Sequence, residues 1–303
     1  MIEGISKGQS MPEKPYYYPQ ETMSVFRVVG SQTQEFLSRI VTADISSLAQ
    51  FQHTLSNILT IKGKLIAFFH LIQDEGAYWI LVDREMKQPL KDQLEKYIIT
   101  EDVAIEEHPH MKIASFFGKE QVASLSDAAF DKTLIFSREK IGSHVVAWVW
   151  GPEQDLYEFC ESFGQKMTPD QYEDQRIFLS IPRWGIDVSS EHMPFELEYL
   201  EPATSTKKGC YPGQETVSRL EGRGRNVNKK LFQVIFPRSS SSIELPVELH
   251  SEQGVVGTLT SVSHHDCSEG KVLALAWVHR KAFEQNWWIQ NKDQKIQIER
   301  YTK

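Results

Sequence analysis

Apolar and polar positions change their period several times along the chain, and each change marks an element. Ser24-Val25-Phe26-Arg27-Val28-Val29 is a strand-length apolar run punctuated by Gly30-Ser31, after which Phe36, Leu37 and Ile40 fall on one face of a helix predicted over 33–41. Two strands, 55–61 and 65–72, flank the turn Lys62-Gly63-Lys64. A strand over 77–82 and a helix over 84–98 follow. A second round has a strand over 111–117, a short helix over 119–125, a strand over 145–150 and a helix from Pro152 through Phe163. Proline is tolerated early in that helix because the N–H it lacks has no intrahelical partner there. A further helix over 170–181 ends before Pro182. Strands mix with helices without a regular strand–helix–strand repeat, so the fold class is α+β with antiparallel sheet.

Beyond about residue 228 the texture changes. Short strands over 231–236, 247–250, 255–259, 272–278, 287–290 and 296–298 alternate with polar turns such as Pro237 and the serines 239–242. This pattern predicts a small β-barrel or sandwich. At the other end, residues 1–20 are rich in Pro, Gly, Lys and Tyr and read as a flexible lead-in.

Composition adds limits. With 303 residues, a 40% hydrophobic share and a net charge of −8, the chain can bury a large core in two or three domains and does not suit a general nucleic-acid coat. Between Lys207 and Lys230, seven cations (Lys207, Lys208, Arg219, Arg223, Arg225, Lys229, Lys230) meet only Glu215 and Glu221, giving +5 there and −13 elsewhere. Such an island either steers an anionic ligand or is a solvated face. The three cysteines, Cys160, Cys210 and Cys267, are odd in number and lack a CxxC pair, which argues for a reducing compartment rather than a disulfide framework. No signal-peptide pattern opens the chain, and no apolar run approaches the ~20 residues that span a bilayer, so a cytoplasmic protein without membrane contact is expected.

The most unusual string is Lys208-Gly209-Cys210-Tyr211-Pro212-Gly213-Gln214-Glu215. It places turn formers where packing would want side chains, and Thr216-Val217-Ser218-Arg219-Leu220 reads as the start of a short helix. Cys210 then lies near a helix N-terminus with Lys207 and Lys208 beside it, and both features favour a thiolate. The competing reading is a tight turn around an inert cysteine.

This string resembles the signature of the YgfZ family, folate-binding relatives of the glycine cleavage T-protein. The likeness extends to Arg176-Ile177, Ile181-Pro182-Arg183-Trp184-Gly185-Ile186-Asp187, Met193-Pro194-Phe195-Glu196 and Asn226 to Leu231. It continues through Gly257 to Ser261 and Ala274 to Val278, and is looser at Asp44-Ile45 and Lys62-Gly63-Lys64. The resemblance implies a T-protein-like ring: two ferredoxin-like α+β halves over 21–227, divided near residue 110, and a C-terminal β-barrel over 228–303. It also implies tetrahydrofolate in a central hole. The family role is assembly or repair of iron–sulfur enzymes and, through them, tRNA modification; client enzymes or assembly proteins are then the partners, with tRNA an indirect one. T-proteins carry acidic residues after the glycine turn, where this chain has Ala67 and Phe68, so classical aminomethyl transfer is not expected and an enzymatic role stays open. Aminomethyl transfer and direct tRNA binding are the alternatives to the folate and iron–sulfur reading.

Within the resemblance, Cys210 is the candidate for redox or sulfur chemistry. Glu196 is placed to accept hydrogen bonds from a pteridine edge, or is one exposed acid among Glu191, Glu198 and Glu201. Lys208 and Arg219 suit the glutamate tail of folate, although Arg219 equally suits a plain helix surface. Tyr211 either stacks on a ligand or closes the loop, and Gln214 and Glu215 bind ligand or cap the helix. Gly209 and Gly213 serve backbone geometry. No metal is expected: His264-His265-Asp266-Cys267 and His108-Pro109-His110 lack a second ligand cluster at zinc spacing.

Overall fold

The computed structural model describes residues 14–118, 122, 133–239, 243–268, 270–292 and 294–301. Two five-stranded sheets pack face to face, and a closed six-stranded barrel adjoins them. The first sheet contains β2 (Met23–Val29), β3 (His53–Leu59), β4 (Leu65–Asp74), β5 (Ala77–Asp83) and β6 (Ala104–Glu107), in the spatial order β3-β4-β5-β2-β6. The second contains β1 (Tyr16–Pro19), β7 (Met111–Phe117), β8 (Ile135–Ile141), β9 (His144–Pro152) and β10 (Gln165–Lys166), in the order β10-β1-β7-β9-β8.

The unbroken apolar run of β5 follows from burial on both faces. Tyr78, Ile80 and Val82 face α1 (Thr33–Ser38) and α2 (Arg84–Tyr97), whereas Trp79 and Leu81 face the second sheet. Strand β9 has the same logic: Val146, Trp148 and Trp150 meet the first sheet, and Ala147 and Val149 meet α3 (Glu153–Phe163) through Leu156 and Cys160. Helix α4 (Pro169–Phe178) opens on a capping box, with Thr168 Oγ1 accepting from Gln171 N–H and Gln171 Oε1 accepting from Thr168 N–H. It ends earlier than the expected residue 181 because Ser180 adopts a left-handed conformation, φ 59°. Helix α1 likewise stops at Ser38.

The barrel is β11 (Lys229–Pro237), β12 (Val247–Ser251), β13 (Gly254–Val262), β14 (Lys271–His279), β15 (Trp287–Asn291) and β16 (Gln294–Arg300). It closes through β16 pairing with β11 at Val234↔Arg300 and Ile235↔Glu299. The predicted barrel is therefore present, with every expected strand in it.

One expectation needs correcting. Within the lead-in expected over 1–20, residues 16–19 form β1, which pairs with β7 and β10 and buries Tyr17. Its Tyr-rich sequence lacks the apolar alternation that marks a strand, so only pairing reveals it. Strands β6, β8 and β10 were also not predicted: β8 alternates with polar Ser137 and Glu139 pointing inward, which reverses the usual signal. The expected helix over 119–125 lies outside the described residues except for Val122.

Candidate functional site

The Cys210 string forms a loop that enters α5 (Gln214–Gly222) through Gly213, whose φ of 83° no side-chain-bearing residue adopts cheaply. A Cβ on Gly213 would lie 2.5 Å from the Thr60 carbonyl oxygen and 3.2 Å from Gly63 Cα, so this glycine lets the loop press onto the Lys62-Gly63-Lys64 turn. Tyr211 is buried and donates from its hydroxyl to Ser205 O at 2.7 Å, while Gln214 Nε2 donates to Lys208 O at 3.2 Å. Lys208 donates to Val41 O (2.8 Å) and Ala43 O (2.7 Å). Burial lowers its pKa to about 8, against the opposing pull of Asp44. These contacts fasten the loop and leave Cys210 exposed and unbridged. Cys160, by contrast, is a core residue whose thiol burial pushes up to about 12, and Cys267 is partly buried.

Segments far apart in sequence meet at this loop. Asp44 interacts with Lys208, Lys64 pairs with Glu191, and Leu65 N–H donates to His192 O at 2.9 Å. Glu196 is buried in a short 3-10 turn, its Oε2 accepting from Met193 N–H at 3.0 Å, and burial raises its pKa. Glu215 and Arg219 pair with each other (2.5 Å) on the exposed side of α5. Such an exposed pair contributes little to stability.

A cavity of about 250 Å³ lies among β4, β9, α4 and the segment 181–184. Aromatic groups (Phe68, Trp148, Tyr172, Trp184) and the charged groups Glu173, Arg176 and Arg183 line it, a combination suited to a planar polar ring. None of the seven site residues read from the sequence is among its lining residues. Ala67 is fully buried and Phe68 faces the cavity, so apolar packing occupies the stretch after the Lys62-Gly63-Lys64 turn. A wider groove of about 770 Å³, lined in part by Arg84, Lys87, Glu107 and Lys112, opens elsewhere between the sheets.

Beneath the cavity wall lies a group that sequence reasoning missed. His53 Nε2 and His70 Nδ1 are 3.0 Å apart, and Glu139 Oε2 lies 3.7 Å from His70 Nδ1. Glu139 accepts from Tyr199 OH (2.8 Å) and Trp148 Nε1 (3.1 Å). Burial holds His53 near 3 and His70 well below the ordinary histidine value, and it pushes Glu139 up to about 7 against those two hydrogen bonds. The sequence signal was weak because the three residues come from three strands, one of them unpredicted.

The segments around Arg176 and Asp187 fasten the barrel. Buried Arg176 donates to Asp187 Oδ2 (2.7 Å) and Ser261 Oγ (2.7 Å), and Asp187 also accepts from Thr260 Oγ1 (2.6 Å) and Arg183 N–H (3.0 Å). Trp277 Nε1 donates to Asp187 O at 2.7 Å and its ring stacks on His192, centroids 4.2 Å apart. The His264-His265 turn is tied to α4 by His265 Nδ1 and Asp174 Oδ2, 2.6 Å apart. Burial, then nearby Lys229, lowers His192 to about 4 from 6.5. The folded state therefore binds fewer protons at this ring, and its contribution is full above pH 6.5 and lost as pH falls through 4. His192→Phe, which keeps the stack, is expected to give a shallower loss of urea stability between those values than wild type. Parallel curves would show that His192 does not titrate this way.

The architecture, two packed and mainly antiparallel sheets with helices and a C-terminal barrel, is that of the glycine cleavage T-protein. The aminomethyltransferase T structure from Bartonella henselae superimposes with a TM-score of 0.79 at 15% identity, covering 95% of this chain and 85% of that one. The chain is a distant homologue of the tRNA-modifying protein YgfZ. It is 24% identical over 243 residues to the YgfZ proteins of Shigella sonnei (strain Ss046) and Escherichia coli (strain K12), a match spanning 75% of this chain and 73% of each relative. No family model matches the chain. Among the described residues, no helix is long and apolar enough to cross a membrane.

Proposed function

We propose that the protein is a cytoplasmic tetrahydrofolate-binding protein that supports the assembly or repair of iron–sulfur enzymes and, through them, tRNA modification. The observation that carries this reading is the exposed Cys210, held on a hydrogen-bonded loop of a T-protein fold in a chain homologous to a tRNA-modifying protein. The cavity of about 250 Å³ is smaller than the roughly 300–1,000 Å³ of sites that enclose whole ligands, so it takes the ring end of folate and leaves the tail outside. Lys208, Tyr211 and Gln214 serve by fixing the Cys210 loop, and Glu196 by fixing the turn beside it. Cys210 supplies the thiol for sulfur or redox work. Clusters usually take four ligands, so any cluster contact draws its other ligands from a partner.

Two alternatives fare less well. Aminomethyl transfer needs a carboxylate to manage charge on the reacting amine, and Ala67 and Phe68 supply none. Direct tRNA binding needs available cations, yet four of the seven in the island are engaged by buried or partly buried groups: Lys208 by carbonyls, Arg225 and Lys230 by Glu201, and Lys229 by the Trp277 ring.

The test is titration of tetrahydrofolate against wild type and Cys210→Ala, with iron–sulfur enzyme activity measured in cells. The variant is expected to bind folate as wild type does and to lose the cellular function. Absence of wild-type binding at millimolar folate would remove the ligand from the proposal, and full complementation by the variant would make the thiol structural.

A further inference from the structure

We propose that His53, His70 and Glu139 form a binding site for one divalent transition-metal ion of zinc type, joining the two sheets. His53 and His70 lie diagonally across the β3–β4 pair, where His53 opposes Ile72 and His70 opposes Leu55, and Glu139 comes from β8 of the other sheet. One ligand atom from each falls within 4.8 Å of the other two, with His53 Nε2 to His70 Nδ1 at 3.0 Å and His70 Nδ1 to Glu139 Oε2 at 3.7 Å. Metal–ligand bonds of about 2.1 Å at tetrahedral angles require separations of about 3.4 Å, so small side-chain shifts suffice.

The metal-free arrangement does not account for the burial of these groups. The ring pair uses one nitrogen of each histidine, His53 Nε2 and His70 Nδ1, and both lie within 4.8 Å of a Glu139 carboxylate oxygen. No lysine or arginine among the described residues pairs with Glu139, although burying an unpaired carboxylate is costly. A cation at the centre of the three atoms supplies Glu139 with the opposite charge it lacks.

The surroundings also suit a metal. Tyr199 OH and Trp148 Nε1 hold the Glu139 carboxylate from behind, the kind of outer hydrogen bond that orients a ligating group. His70 also lines the cavity of about 250 Å³, so three protein ligands leave a fourth position for water or a bound molecule on that side. The ligand set of two imidazoles and a carboxylate selects zinc-like ions over magnesium or calcium, which prefer all-oxygen sites.

The experiment uses the full chain in a Cys210→Ala background, so that the exposed thiol adds no site, stripped with chelator and titrated with Zn²⁺ by calorimetry. The expected result is one equivalent per chain, a visible tetrahedral Co²⁺ spectrum on substitution, and a rise in Tm with bound metal. His53→Gln and Glu139→Gln are expected to weaken Zn²⁺ binding at least about 100-fold. Tyr199→Phe keeps all three ligands, so it tests the site even if those variants do not fold, with an expected loss of roughly 10–100-fold. Folded protein that takes up no Zn²⁺, or Zn²⁺ uptake equal in Tyr199→Phe and the parent, would overturn the site.

Discussion

Asp187→Ala is expected to lower the stability of the folded protein by about 3–5 kcal/mol, because it strands a buried guanidinium. Asp187 is 1% exposed and Arg176 2% exposed. The aspartate accepts from Arg176, Arg183 N–H, Thr260 and Ser261, so one substitution strips partners from groups on both sides of the contact between α4 and the barrel. Glu173 remains bonded to Arg176 Nε at 2.7 Å, which keeps the charge partly compensated and limits the loss. Urea denaturation measures it, and hydrogen exchange is expected to show the greatest loss of protection in β13 and β14, which carry Ser261 and Trp277. Asp187→Asn keeps acceptor capacity and is expected to cost less. An alanine variant within 1 kcal/mol of wild type would mean that this network does not hold the barrel.

Gly213→Ala is expected to cost roughly 2–5 kcal/mol and to abolish the cellular function although Cys210 itself is not substituted. A left-handed backbone costs an L-residue about 1–2 kcal/mol. The added methyl would also meet the Thr60 carbonyl at 2.5 Å, and overpacking of this kind typically costs about 1–3 kcal/mol more. Backbone on both sides makes relief possible only by moving the loop, and with it the thiol. Gly209→Ala is the matched control: nothing lies within 4 Å of a Cβ there, so its stability is expected to stay within about 0.5 kcal/mol of wild type. Complementation assays beside denaturation curves separate the two outcomes. A functional, stable Gly213→Ala protein would show that the loop position is not specified by this glycine.

Much of the fold was legible because its signals are local. The turn at Lys62-Gly63-Lys64, the run of β5 and the start of α3 after Pro152 each follow from neighbouring residues. The loop around Cys210 was legible for the same reason: Gly213 sits where a helix begins and the chain must turn. Roles within the loop were less so. Lys208 reads as a cation beside the thiol, yet its ammonium reaches carbonyls some 165 residues earlier. Arg219 and Glu215 read as ligand contacts or surface, and they satisfy each other.

Most of the strands and helices, the barrel and the turn into the helix at Gly213 thus follow from the residues taken a few at a time, since backbone propensity and hydrophobic period act over short stretches. The pairing of β1 into the second sheet, the anchoring of Arg176 by Asp187 and the meeting of His53, His70 and Glu139 do not. Each joins groups from separate strands or segments, and burial makes charge and hydrogen bonding between them matter. No local pattern carries that information, because desolvation and long-range contact exist only once the sheets have closed on one another.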